Sequence, residues 1–102
     1  MEIKEYQKTI KKLLEDIDSK HPDKTHKNIE TTFYHLIEEV GEVSRQLFNE
    51  KIGRDKLDKE NLAEEIADCV MLLSQLATNY DIDLEETSKK KILKLKERFN
   101  IK

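Results

Sequence analysis

An all-α fold, four helices in a bundle-like arrangement around a central antiparallel helical hairpin, is what this sequence predicts from three observations. Apolar residues recur at three-and-four spacing along nearly the whole chain, the repeat of a single helix face. Charged residues make up 40% of the chain and hydrophobic ones 36%, with two glycines and one proline, a balance that favours amphipathic helices and leaves few strand signals. At 102 residues there is material for one modest hydrophobic core, so 1–102 reads as a single domain.

Each helix can be placed in turn. Ile3, Tyr6, Ile10, Leu13, Leu14 and Ile17 form the stripe of a first helix that ends before "SKHPDKTH", where Pro22 makes the stretch a loop. A second helix runs from about Asn28 to about Asn49, with Phe33, Leu36, Val40, Val43 and Leu47 as its stripe. The connector "NEKIGRDKLD", with Gly53 and several polar residues, reads as a turn. A third helix starts between Asp58 and Asn61 and carries Leu62, Ile66, Cys69, Val70, Leu73, Leu76 and Tyr80. "NYDID" breaks the pattern, and Asp83 with Glu86 predicts the N-terminal cap of a fourth helix reaching about Phe99.

Charge and cysteine usage exclude several function classes. A net charge of −3 provides no global basic surface for a nucleic-acid polymer, so a phosphate-bearing ligand must be met locally. Cys69 is the only cysteine, which rules out an intrachain disulfide and predicts a reducing, cytoplasmic home. No apolar run approaches membrane-spanning length, and "MEIKEYQK" lacks the apolar core of a signal peptide; no membrane partner is expected.

The chemistry concentrates in an internal echo. "EEVGE", Glu38 to Glu42, and "EEIAD", Glu64 to Asp68, match class for class: acid, acid, β-branched apolar, small, acid. Residues three apart share a helix face, so Glu39 pairs with Glu42 and Glu65 with Asp68. Spacing alone proves little, because Glu2/Glu5, Glu15/Asp18, Asp55/Asp58 and Asp83/Glu86 share it. Position separates the two echoed pairs from the others. At roughly 100° per residue, Glu39 and Glu65 each fall about 80° from the centre of their helix's apolar stripe, on the same hand. An antiparallel hairpin therefore brings the four carboxylates together at one level.

Like charges in a shared, half-dry site raise one another's pKa. A hard divalent cation relieves this, and Mg²⁺, with Mn²⁺ as a substitute, prefers oxygen ligands shared between protein carboxylates and phosphates. No histidine stands at Glu-x-x-His spacing on these helices, which argues against a di-iron bundle. Gly41 and Ala67 share a register on the flank away from the acids, where small residues are expected to let another helix approach. In the fourth helix Lys91, Lys94 and Arg98 edge the apolar stripe of Leu84, Ile92, Leu95 and Phe99. Lys91 and Arg98, nearest the side expected to be buried, are candidates for meeting phosphate oxygens. His35, one turn before Glu39, reads either as a solvated histidine or as a substrate contact, and Cys69 as a small buried apolar residue.

Together "EEVGE", "EEIAD" and the closing "YDIDLEETSKKKILKLKERF" resemble the all-α nucleoside triphosphate pyrophosphohydrolases, the MazG-like superfamily, with its Glu-Glu-x-x-Glu … Glu-x-x-Asp signature. The resemblance runs from about Asn28 to Phe99. It implies metal ligands at Glu39, Glu42, Glu65 and Asp68, and a water-orienting base or outer acid at Glu38. It also implies phosphate-facing cations at Lys91 and Arg98. The reaction implied is Mg²⁺-dependent attack of water on the α-phosphorus of a (deoxy)nucleoside triphosphate, giving monophosphate and pyrophosphate, with removal of non-canonical nucleotides as one possible task. The implied partners are the nucleotide itself and further copies of the chain, as a homodimer or homotetramer whose sites border a neighbouring subunit. Leu95 departs from the pattern, since many relatives carry asparagine there. Two alternatives stay open: the same cage acting on phosphoribosyl-ATP or deoxyuridine nucleotides, and a non-catalytic helical metal-binding or interaction module.

Overall fold

The computed structural model describes residues 2–21 and 29–102; Pro22 and the expected start of the second helix at Asn28 lie outside them. Four helices make up the described chain: α1 (Ile3–Lys20), α2 (Ile29–Lys51), α3 (Lys59–Asn79) and α4 (Leu84–Arg98). No strand occurs among the described residues. Both predicted caps are present. The Asp58 side chain accepts from the Asn61 N–H at the start of α3, and the Asp83 side chain accepts from the Glu86 N–H at the start of α4, satisfying donors that no helical carbonyl can reach.

Three helix ends close in the same way. After α2, the Arg54 N–H donates to the Asn49 carbonyl (2.9 Å) and the Gly53 N–H to Glu50 (3.0 Å), with Gly53 at φ 76°. After α3, Ile82 donates to Ala77 (2.9 Å) and Asp81 to Thr78 (3.0 Å), with Asp81 at φ 56°. After α4, Ile101 donates to Lys96 (2.8 Å) and Asn100 to Glu97 (3.3 Å), with Asn100 at φ 52°. These are Schellman closures, which need one left-handed residue. Glycine takes that conformation without strain, while Asp and Asn tolerate it at some cost.

The α2–α3 hairpin is the main packing unit. α1 lies against α3, and α4 packs against α1. Thr32, Leu36, Glu39 and Val43 of α2 repeat at four-three-four spacing and are all buried or half-buried. So are Leu62, Glu65, Cys69, Leu72, Leu76 and Asn79 of α3, the pattern of a coiled-coil seam. Near one end of this seam the Asn79 amide donates to the Thr32 hydroxyl (3.5 Å) and the Gln75 amide to the Asn79 carbonyl oxygen (2.9 Å). Ile10 and Leu14 of α1 complete the buried core with Leu36, Leu72 and Ala77.

α1 also fixes where α4 begins. The Gln7 amide donates to the Ile82 carbonyl (2.7 Å) and to the Thr78 hydroxyl (3.2 Å), while its oxygen accepts from the Leu84 N–H (3.1 Å). Lys4 adds an ion pair to Asp83 at 3.5 Å. One glutamine side chain thus joins the first helix to the turn that launches the last.

The buried faces differ from the stripes predicted above. Phe33, Val40 and Leu47 of α2, with Ile66, Val70 and Leu73 of α3 and Tyr80 just beyond its end, are 45–60% exposed. Each hairpin helix has two apolar faces, one in the seam and one open, and a single hydrophobic centre read from the sequence averages them. α4 has no buried residue, so Lys91 and Arg98 adjoin no buried side within this chain. A Cβ built on Gly41 would meet nothing within 4 Å; no helix of the described chain uses the room expected there. The Cα radius of gyration, 16.5 Å, exceeds the about 13 Å of a compact chain this long, as befits helices that leave apolar faces uncovered.

The left-handed closures predict opposite effects of two substitutions. Asp81→Gly should stabilise the chain by up to about 1 kcal/mol, and Gly53→Ala should destabilise it by about 1 kcal/mol. Urea unfolding followed by circular dichroism measures both.

Candidate metal centre

α2 and α3 place their acids inside the seam rather than on its shoulder. Glu39 occupies the position one turn after Leu36, and Glu65 the position one turn after Leu62, where a coiled coil would carry apolar residues. The Glu39 side chain is only 14% exposed, and Glu65 is half-buried. Glu39, Glu65 and Asp68 each bring one carboxylate oxygen within 4.8 Å of the others. Three of the four expected ligands therefore meet. Glu42 stands outside that group, half-buried, but close enough for its charge to act on Glu65.

The electrostatic consequence falls on Glu65, whose carboxyl is pushed up to about 7. The leading cause is a hydrogen bond shared with the Glu39 carboxyl, followed by burial, and then by the charges of Glu39, Glu42 and Asp68. A shared proton is how two carboxyl groups in contact avoid a bare like-charge clash. The other Glu65 oxygen, Oε2, is buried and has no hydrogen-bond partner among the described residues. A buried carboxylate oxygen without a donor is costly.

These observations test whether a cation fits. The donor set is all oxygen, it is crowded with negative charge, and one buried oxygen lacks a partner. Those are the features that a hard divalent ion such as Mg²⁺ or Mn²⁺ satisfies. Burial, with the charges of Glu39, Asp68 and Glu65, pushes the neighbouring Cys69 thiol up, which disfavours its thiolate.

Around this triad stand the other sequence-predicted residues. His35 Nε2 lies 3.4 Å from Glu39 Oε1, and His35, Glu38 and Glu39 can bring one ligand atom each within 4.8 Å of one another. Glu38 is exposed at the edge of the cluster. Lys91 and Arg98 are exposed on α4, whose packing partner is α1; the Arg98 guanidinium sits 6.0 Å from the centroid of the Phe99 ring. The structure thus gathers His35, Glu38, Glu39, Glu65 and Asp68, while the two basic residues stand exposed on the helix that packs on α1.

One group of neighbours had no sequence signal. An apolar cleft lined by Leu14 and Ile17 of α1, His35 of α2 and Asp68, Met71 and Leu72 of α3 opens beside the acids. In sequence, Leu14 and Ile17 are ordinary members of an amphipathic stripe, and only the packing of α1 on α3 turns them toward the cluster.

The raised Glu65 carboxyl makes stability depend on pH. Between its ordinary value near 4.5 and about 7, the folded chain holds more proton than the unfolded one, so stability falls as pH rises through that window. Without divalent ions the melting temperature should drop between pH 5 and pH 8, and Glu65→Gln should flatten the drop. Mn²⁺ should restore stability at pH 8 and release a proton on binding near pH 7; calorimetry in buffers of different ionisation heat measures that proton.

A scan against protein-family models matches residues 27–100 to the MazG nucleotide pyrophosphohydrolase domain. No curated protein and no solved structure gives a significant match. The family match spans α2, α3 and α4 and contains every acid of the cluster, while α1 lies outside it. An oxygen-rich acidic cluster in the seam of a helical hairpin, within a matched segment covering most of the chain, has one consequence for identity: this chain belongs to the MazG nucleotide pyrophosphohydrolase domain family.

Proposed function

We propose that the chain is a Mg²⁺-dependent nucleotide pyrophosphohydrolase that cleaves the α–β phosphoanhydride of (deoxy)nucleoside triphosphates. The observation that carries this reading is the Glu39–Glu65–Asp68 cluster, whose carboxylate oxygens meet within 4.8 Å and which holds a partnerless buried oxygen. Glu39, Glu65 and Asp68 would hold the cation, with Glu42 as a fourth ligand drawn in from its nearby position. Bound Mg²⁺ supplies charge neutralisation for the polyphosphate and makes the α-phosphorus more electrophilic.

The remaining steps belong to the chain's own side chains. Glu38, exposed beside the cluster, orients a water and accepts its proton as the water oxygen bonds to the α-phosphorus. The bond from that phosphorus to the bridging oxygen breaks, and pyrophosphate leaves with the bonding electron pair. His35, tied to Glu39, contacts the substrate and steadies that ligand. Clearance of non-canonical nucleotides in the cytoplasm is the physiological role we infer. The lone reduced cysteine supports that location, and no helix of the described residues is long and apolar enough to cross a membrane.

Lys91 and Arg98 enter the site from a second copy of the chain in this reading, which is a homodimer or a dimer of dimers. Three observations support it. α4 packs on α1 and buries none of its own residues. The outer face of the hairpin, from Phe33 and Val40 to Val70 and Leu73, is half-exposed. Basic α4 and the acidic hairpin are complementary in charge. Covering an apolar face against a symmetry-related copy is the usual remedy for so open a protomer.

Two experiments test these assignments. Glu39→Gln or Asp68→Asn should lower Mg²⁺-dependent pyrophosphate release by about 10²–10³-fold, the scale of one lost preorganised electrostatic group. The far-ultraviolet circular dichroism should stay nearly unchanged. Wild-type protein that binds no divalent ion and turns over no nucleotide would overturn the enzyme reading. Lys91→Ala should weaken nucleotide binding more than metal binding. Refolding it together with Glu39→Gln should restore about a quarter of wild-type activity, because one site of each mixed dimer then has both residues intact. A mixture no more active than its parts would refute the shared site.

A further inference from the structure

Near the C-terminal end of α3 a polar cleft of about 270 Å³ separates that helix from α1. Lys11, Leu14, Glu15 and Asp18 form its α1 wall, at the three-and-four spacing that shares one helix face. Gln75, Thr78 and Asn79, spaced in the same way, form the α3 wall, and Asp81 closes it from the turn before α4. No member of the carboxylate triad lines it.

The hydrogen bonds of the α3 wall are lopsided. Its donors already point at protein acceptors: the Gln75 amide at the Asn79 carbonyl oxygen (2.9 Å), the Thr78 hydroxyl at the Ser74 carbonyl (3.1 Å) and the Asn79 amide at the Thr32 hydroxyl (3.5 Å). What remains is an acceptor. Gln75 is only 7% exposed, and its Oε1 is buried with no hydrogen-bond partner among the described residues, a costly state for a polar atom. The charge is lopsided as well: three carboxyl groups, Glu15, Asp18 and Asp81, face a single cation, Lys11. Asp18 is itself only 8% exposed. An occupant that suits this cleft brings hydrogen-bond donors and positive charge.

A compact metal ion does not meet that description, because its ligands converge on one point. Glu15, Asp18 and Asp81 bring no three ligand atoms within 4.8 Å of one another, as the hairpin acids do. The charge to be matched is extended, and Leu14 gives it an apolar wall. We propose that this cleft binds an aliphatic diamine in its diammonium form. Glu15, Asp18, Asp81 and the Gln75 Oε1 hold the ammonium groups, and the methylenes lie against Leu14. Such a ligand bridges α1 and α3 and stabilises the folded chain by linkage. The proposal is independent of the pyrophosphohydrolase reading.

Butane-1,4-diamine is the probe, titrated in excess Mg²⁺ at matched ionic strength and followed by calorimetry and by ¹H–¹⁵N nuclear magnetic resonance. One equivalent binds with a Kd of about 1 mM or tighter. The Gln75 side-chain amide and the Asn79 and Asp81 backbone amides shift, and the melting temperature rises. Butylamine, with one ammonium group, binds about fivefold more weakly or worse, and K⁺ does not displace the diamine. Glu15→Gln and Asp81→Asn each weaken binding about two- to fivefold, the scale of one exposed ion pair. Gln75→Leu weakens it about tenfold or more; since that variant also loses the bond to Asn79, its circular dichroism is compared with wild type, and the two surface variants decide the matter where it does not fold. Glu97→Gln, an exposed acid on α4, leaves the affinity unchanged. Absence of binding, shifts confined to the Glu39–Asp68 region, equal affinity for butylamine, or a loss on Glu97→Gln as large as that on Glu15→Gln would overturn the proposal.

Discussion

Two carboxyl groups, Glu39 and Glu65, meet within 4.8 Å across the seam of the α2–α3 hairpin, where a coiled coil would carry apolar residues. Their contact disfavours the hairpin in the absence of a counter-charge, because each desolvates the other and only a proton or a cation can relieve the crowding. The rest of the molecule accommodates that choice. Apolar and polar layers on the same seam, Leu36, Leu72 and the Thr32–Asn79–Gln75 hydrogen bonds, hold the helices together against it. α1 covers the hairpin on α3 and supplies the apolar wall beside the acids.

The same physics explains why so short a chain stays open. Charged residues fill 40% of the sequence, and two seam positions are given to acids, so the apolar surface buried within one protomer is small. The remaining apolar residues lie on outer faces of α2, α3 and α4. They cannot turn inward without moving the acids out of the seam, because both sets ride on the same rigid helices. An acidic seam and an exposed apolar outer face are therefore one arrangement viewed from two sides.

Much of the fold was legible in the sequence because its signals are local. Asp58 and Asp83 accept from the third residue beyond them, as capping side chains do within one turn, and Gly53 marks the one turn where glycine's freedom is required. The echo of "EEVGE" in "EEIAD" was equally legible, since it depends only on spacing along two helices. Less legible was the rotation of each helix about its axis. Phe33, Val40 and Leu47 were expected to be buried together with Leu36 and Val43, and the structure exposes the first three. An apolar residue facing solvent and one facing a partner helix carry the same hydrophobicity. Gly41 was read as room for a neighbouring helix, yet the space beside it is open.

Residue identity and helical period by themselves determined the four helices, their caps, the acidic repeat and its oxygen-only chemistry, because each follows from interactions within a few residues of chain. Tertiary structure alone decided which faces meet. It brought Glu39, Glu65 and Asp68 within 4.8 Å while leaving Glu42 outside that group. It set Lys91 and Arg98 on a helix whose packing partner is α1, and it turned Leu14 and Ile17 toward the acids. The physical reason is that distances across a hairpin depend on axial rotation and on the turn that joins the helices. A rotation of a few tens of degrees, which no local pattern encodes, separates a shoulder from a seam.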